Sequence, residues 1–224
     1  MTFQVILDVS LESIKLSSPS HQLNHHPLKE LIVPILDGQP IAHVEEIFAI
    51  VSSQKMTFPE FIQTILATKL WLKNANDHPY FPEICRNLSL EINNYYELSH
   101  IEPSYHSRKH FIDVCLAVHL LLLKNEFITE TEQSSWYLSP IQSWHLLISA
   151  MAHDFGHNGL MNQSIHQQEL LSIQGLNAFL DTQIFPGKDI CQEVTTAIIL
   201  ATDPKDRAQL MNRIHSSSAV RSIN

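Results

Sequence analysis

A run of apolar residues beginning near Ile141 closes on Ala152-His153-Asp154-Phe155-Gly156-His157-Asn158-Gly159. A segment greasy enough to be buried does not normally end in His-Asp-x-x-His. His153 and His157 are four residues apart and Asp154 and His157 three, so on a helix the three side chains share one face and can converge on a metal ion. Imidazole nitrogen with carboxylate oxygen suits zinc, iron or manganese, and the carboxylate can bridge to a second, oxygen-loving ion. The bland alternative is a helix end with solvated polar residues, the ordinary reading of one His beside one Asp. A second His, and another His pair upstream, weigh against it.

That upstream stretch is Tyr105-His106-Ser107-Arg108-Lys109-His110-Phe111-Ile112-Asp113-Val114. His106 and His110 are one helical turn apart and Asp113 lies three beyond His110, giving a polar stripe opposite the apolar Val114, Cys115, Val118 and Leu122. Two helices, each bearing a His-x-x-x-His pair beside a carboxylate, point to metal-centred hydrolysis. His21, His25 and His26 imitate such a site, but they lie in a proline-flanked loop with no carboxylate among them and read as solvated.

Periodicity places these motifs on an all-α scaffold. Odd-numbered apolar residues from Phe3 to Leu11 predict a short N-terminal strand, followed by a loop over Ser17 to Pro27. Leu28 to Leu36 and Ile41 to Val51 are short amphipathic pieces around the turn Asp37-Gly38-Gln39-Pro40. Thr57 and Glu60 form a capping-box signature ahead of the stripe Phe61, Ile65, Leu66, Leu70. Further helices are predicted over Ile84 to Leu98, Tyr105 to about Lys124 with Ser104 as N-cap, Ile141 to His157, Gln167 to Leu180, and Ile190 to Thr202, with Glu126 to Pro140 as a polar loop. The expected fold is an irregular multi-helix bundle over 57–224, preceded by an N-terminal appendage over 1–56.

The net charge of -9 argues against binding to a nucleic acid polymer or an anionic membrane, both of which call for clustered Lys and Arg. A small anionic substrate would then need local positive charge, which bound metal ions can supply. Five Gly and no Walker pattern exclude a Gly-rich phosphate loop. Cys85, Cys115 and Cys191 are odd in number, far apart and in apolar surroundings, reading as core residues in a reducing compartment. No basic and apolar leader opens the chain, and Phe111 to Leu123 is too short to span a bilayer, so the expected location is the cytoplasm.

Tyr105-His106-Ser107-x-x-His110-Phe111-x-Asp113-Val114, then His153-Asp154-x-Gly156-His157-x-Gly159, then Leu200-Ala201-Thr202-Asp203, resembles the catalytic domain of class I cyclic-nucleotide phosphodiesterases. These are a branch of the HD-domain metal-dependent phosphohydrolases, and the resemblance covers roughly residues 57 to 210. It implies hydrolysis of a 3′,5′-cyclic nucleotide to the 5′-monophosphate by water activated between two divalent ions, zinc at the first site and magnesium or manganese at the second. His106 would be the general acid for the leaving 3′ oxygen. His110, His153 and Asp154 would ligate the first ion, with Asp154 bridging to the second. His157 would lie close to the second ion's waters, with Glu169 the nearest candidate for the accompanying glutamate. Tyr105 and Asp203 would belong to the substrate pocket.

The sequence departs from the family pattern at Ser107, where the family has asparagine, and at Asn158, where it has proline. The resemblance also implies a fourth ligand, an aspartate well beyond Asp203, and a purine clamp; no residue up to Asn224 is matched to either. Two other readings therefore stand beside the first. One is an HD-superfamily hydrolase for another nucleotide or phosphoester. The other is a shortened, non-catalytic binding module whose bare apolar surface is covered by a second copy in a homo-oligomer.

Overall fold

The computed structural model describes residues 27–38, 44–99, 107–131, 138–160, 164 and 166–203. Among the described residues the fold is all-α, with no strand; the strand predicted over Phe3 to Leu11 lies outside them, as do His21, His25 and His26. The helices are α1 (Pro27–Gly38), α2 (Val44–Ser53), α3 (Phe58–Leu66), α4 (Lys69–Asp77), α5 (Phe81–Ser99), α6 (Arg108–Thr131), α7 (Pro140–Ala152), α8 (Gln167–Asp181) and α9 (Lys188–Leu200).

Local chemistry sets the ends of these helices. The Thr57 backbone N–H donates to Glu60 Oε2 at 2.8 Å while the Glu60 N–H donates back to Thr57 Oγ1 at 3.4 Å, the capping box expected for α3. Ser139 and Gln142 form a second box at the start of α7, with Pro140 in the first turn, where a missing N–H costs nothing. The stripe running from Phe61 to Leu70 is split: α3 stops at Leu66, and α4 begins at Lys69, whose N–H donates to Asp37 Oδ1 of α1 at 2.6 Å. The helix expected to end near Lys124 runs on to Thr131. No Gly or Pro occurs between Leu116 and Pro140, so nothing in the backbone stops it at the polar residues.

α7 is the central element. From Ser143 to Ala152 every residue but the half-buried Leu146 is out of water, and the helix packs against α4, α5, α6, α8 and α9. α1 packs against α2 and α3, and α2 also against α6, so the described part of the segment before residue 57 shares the core. At the N-terminal half of α7, Trp144 packs against Trp71 of α4 with ring centroids 4.7 Å apart and against Phe81 of α5 at 5.6 Å. At its other end Phe111 of α6 meets Phe58, Tyr96 and the His153 ring.

One buried polar junction ties α1, α4 and α6. The Trp71 indole N–H donates to Nδ1 of His119 at 3.0 Å, which leaves the imidazole proton on Nε2, facing the Leu36 carbonyl at 3.3 Å. Burial pushes the His119 pKa down to about 4, against the opposing pull of the Leu36 carbonyl and the Asp37 carboxylate. The unfolded chain therefore takes up a proton between the ordinary value of 6.5 and about 4 that the folded chain refuses. Stability contributed by the neutral ring is complete above that window and falls through it as pH drops, by about 3 kcal/mol in total. Urea midpoints measured from pH 7 to pH 4 should fall accordingly, and a His119→Gln variant should flatten that slope. An equal slope in the variant would refute the assignment.

Candidate metal centre

The last turn of α7 hands the chain to a tight turn, His153 to Gly156. Gly156 has φ +80°, a left-handed conformation that a side chain would resist, and it ends the helical path. The expectation that His153, Asp154 and His157 share one helical face therefore fails. His153 and Asp154 meet as sequence neighbours, with Nε2 3.0 Å from Oδ2, and the third member comes from the start of α6. His110 Nε2 lies 3.3 Å from the same Asp154 oxygen and 3.2 Å from His153 Nε2. His157 stands outside this group, and its Nδ1 accepts the Gly159 N–H at 2.9 Å.

Other contacts fix the orientation of these side chains. His153 Nδ1 donates to the Ala150 carbonyl at 2.9 Å, which commits that nitrogen's proton to the helix and turns Nε2 toward Asp154. Tyr96 of α5 donates its buried hydroxyl to the Asp154 backbone carbonyl at 3.0 Å. Phe155 packs edge-on against Tyr95 and lies so close to Gly175 of α8 that a Cβ there would meet its ring at 2.8 Å, so the glycine lets the turn settle onto α8. Asp154 is buried and His110 and His153 are partly so.

Three ligand atoms separated by 3.0, 3.2 and 3.3 Å fit a shared divalent ion. Bonds of roughly 2.0–2.2 Å place neighbouring ligands about 3.0–3.5 Å apart. Burial works against a proton on His153, but the hydrogen bond and charge of Asp154, with the Ala150 carbonyl, outweigh it and raise its pKa above the ordinary value. An entering ion must displace that proton, so acid weakens binding.

The other residues singled out in the sequence are distributed as follows. Tyr105 and His106 lie outside the described residues. Asp113, on the polar stripe of α6, joins Arg108, Lys109, Ile112, Met56 and Phe58 around a cavity of 340 Å³ that none of the three ligands lines. Arg108 is engaged there by Glu97 at 3.2 Å and Asn93 at 3.1 Å. Glu169 and Asp203 come together with His166, a residue the sequence did not bring forward: one ligand atom from each lies within 4.8 Å of the others. Only the return of the chain after α9 brings His166 and Asp203, 37 positions apart, side by side. The lone signal in the sequence was the His-x-x-Glu spacing at the start of α8.

No helix among the described residues is long and apolar enough to cross a membrane. No curated protein and no solved structure matches this chain. Residues 105–174, less than half of the chain, match the sequence model of the 3'5'-cyclic nucleotide phosphodiesterase family. That interval contains both histidine motifs and the two imidazoles that converge on Asp154 Oδ2. Joined to the all-helical architecture, the match supports a likeness of residues 105–174 to the catalytic domain of the class I cyclic-nucleotide phosphodiesterases, a metal-dependent family of hydrolases.

Proposed function

We propose that this chain hydrolyses a 3′,5′-cyclic nucleotide to the 5′-monophosphate at a centre held by His110, His153 and Asp154. The observation that carries the reading is the convergence of the three ligand atoms at 3.0–3.3 Å from two helices, inside the matched interval. Zinc suits the two-imidazole, one-carboxylate set, and magnesium or manganese suits a neighbouring position reached through the Asp154 carboxylate. Bound there, divalent ions lower the pKa of water and offset charge on the phosphate oxygens.

The chain's own residues do the rest. Asp154 supplies the negative charge that makes two dications tolerable in a partly buried site. Tyr96 holds the Asp154 main-chain carbonyl, and the two imidazoles hold its carboxylate oxygen. His153 would offer its Nε2 lone pair to an ion, because the Ala150 carbonyl engages the proton on the other nitrogen. His106 donates a proton to the departing 3′ oxygen, which would otherwise leave as an unstabilised alkoxide. His157 and Glu169 would orient water at the second ion, and Tyr105 and Asp203 would belong to the substrate pocket.

The test is to supply cyclic AMP and cyclic GMP with magnesium or manganese and to follow formation of the 5′-monophosphate. Cleavage of an unrelated phosphoester in place of both would keep the hydrolase and displace the substrate. No cleavage of any phosphoester by metal-loaded protein would leave a binding module.

A further inference from the structure

We infer that Gly175 is a positioning residue for the metal centre: the bare Cα of α8 sets how deeply the Phe155 ring seats, and through that ring where Asp154 is presented to an ion. The inference rests on the proposed centre at His110, His153 and Asp154.

Phe155 stands between Asp154 and Gly156 in the turn after α7 and is 6% exposed. Tyr95 of α5 meets its ring edge-on, with centroids 5.4 Å apart and planes at 85°. Gly175 of α8 lies against the same ring, so closely that an added Cβ would stand 2.8 Å from Cδ1, 3.0 Å from Cε1 and 3.4 Å from Cγ. Two successive tyrosines of α5 thus hold two successive residues of the turn, Tyr95 on the Phe155 ring and Tyr96 on the Asp154 carbonyl at 3.0 Å.

A glycine inside α8 runs against helix propensity, since alanine is the better helix former. Its backbone does not explain it, because Gly175 is not among the glycines of positive φ. What the position lacks is room. Carbon atoms at 2.8 and 3.0 Å are closer than packed interiors allow, so a methyl group there drives the ring back. The tight approach reaches from the ring edge to Cγ, next to the chain, so a swing of the far edge does not relieve it, and Tyr95 resists that swing. The displacement passes to the backbone, where Asp154 is the preceding residue.

The centre has little slack to absorb it. Asp154 Oδ2 stands 3.0 and 3.3 Å from the two imidazole nitrogens, and metal-ligand bonds keep to within about 0.2 Å of their ideal lengths. A movement of that size in one ligand of three weakens the grip on the ion.

The experiment measures the zinc affinity of the full chain by competition with a chromophoric chelator. It is run beside thermal melting of the metal-stripped proteins and the visible spectrum of the cobalt(II)-loaded ones, which reports ligand geometry. Gly175→Ala should weaken zinc binding by about tenfold or more and change the cobalt spectrum. The stripped variant should melt close to the unmutated protein, because without an ion the turn is free to relax. Phe155→Leu removes the ring and should weaken zinc binding as well. Adding Gly175→Ala in that background should then change the affinity by less than about twofold, since the methyl group has no ring to meet. Unaltered zinc affinity in folded Gly175→Ala, or an equal further loss in the Phe155→Leu background, would overturn the inference. Should Gly175→Ala alone fail to fold, recovery of folding and zinc binding on adding Phe155→Leu supports the contact, and no recovery overturns it. If the unmutated chain holds no zinc that His153→Ala releases, the centre itself falls and the inference with it. Zinc held equally well with and without the methyl group removes the inference alone.

Discussion

Asp154→Ala is expected to abolish metal retention at the proposed centre and to lower cyclic-nucleotide turnover by on the order of a thousandfold or more. The expectation follows from the position of a single oxygen. Oδ2 lies 3.0 Å from one imidazole nitrogen and 3.3 Å from the other, so it is the one atom common to both short carboxylate contacts. Removing it leaves two imidazoles and no carboxylate, a pair that binds a divalent ion far less well than the triad. His153→Ala should release the metal as well, while freeing the Ala150 carbonyl at the helix end. Asp154→Asn separates charge from shape, because it keeps one acceptor oxygen and loses the negative charge. Elemental analysis of protein never exposed to chelator, run beside the turnover assay, reads both effects. Metal content equal to that of the unmutated chain in Asp154→Ala would remove the carboxylate from the ligand set.

Trp71→Ala should produce the largest loss of stability. The side chain is fully buried, packs on Trp144 at 4.7 Å and donates the hydrogen bond that satisfies His119 Nδ1. Truncating a buried tryptophan costs about 3–5 kcal/mol through lost contacts and the cavity left behind. Stranding a buried acceptor adds about 1–3 kcal/mol. Against a domain stability of roughly 5–15 kcal/mol this is a large fraction, and at about 2–4 °C per kcal/mol the melting temperature falls by on the order of 10 °C or more. Trp71→Phe keeps most of the ring packing and removes the N–H, so it should show mainly the smaller loss. Thermal and urea unfolding of the two variants separate packing from hydrogen bonding. Equal stability of Trp71→Phe and the unmutated protein would show that the His119 junction contributes nothing.

Features written in local chemistry were legible in the sequence. Thr57 and Glu60 announced α3 because a capping box is made within four residues, and the apolar stripes of α5, α7, α8 and α9 gave their positions to within a few residues. The pairing of His110 with His153 and Asp154 was legible only through the resemblance, since spacing within a helix says nothing of which helix comes to face it. His157 leaves the helical face that its spacing predicts because the left-handed backbone of Gly156 ends the helical path. α6 continues to Thr131 through polar residues because Glu and Lys are good helix formers and polarity alone does not stop a helix. Two polar junctions were invisible for a common reason. Trp71 with His119, and His166 with Asp203, join residues 48 and 37 positions apart, and no local pattern encodes such a meeting.

The hydroxyl of Tyr96 on the Asp154 carbonyl carries a consequence for where the catalytic unit begins. Tyr96 lies upstream of the interval that carries the family signature, on a different helix from every ligand. A peptide cut to that signature would hold His110, His153 and Asp154 and lack the hydroxyl that holds the Asp154 backbone. The His110, His153 and Asp154 cluster thus draws on a helix that precedes the matched interval.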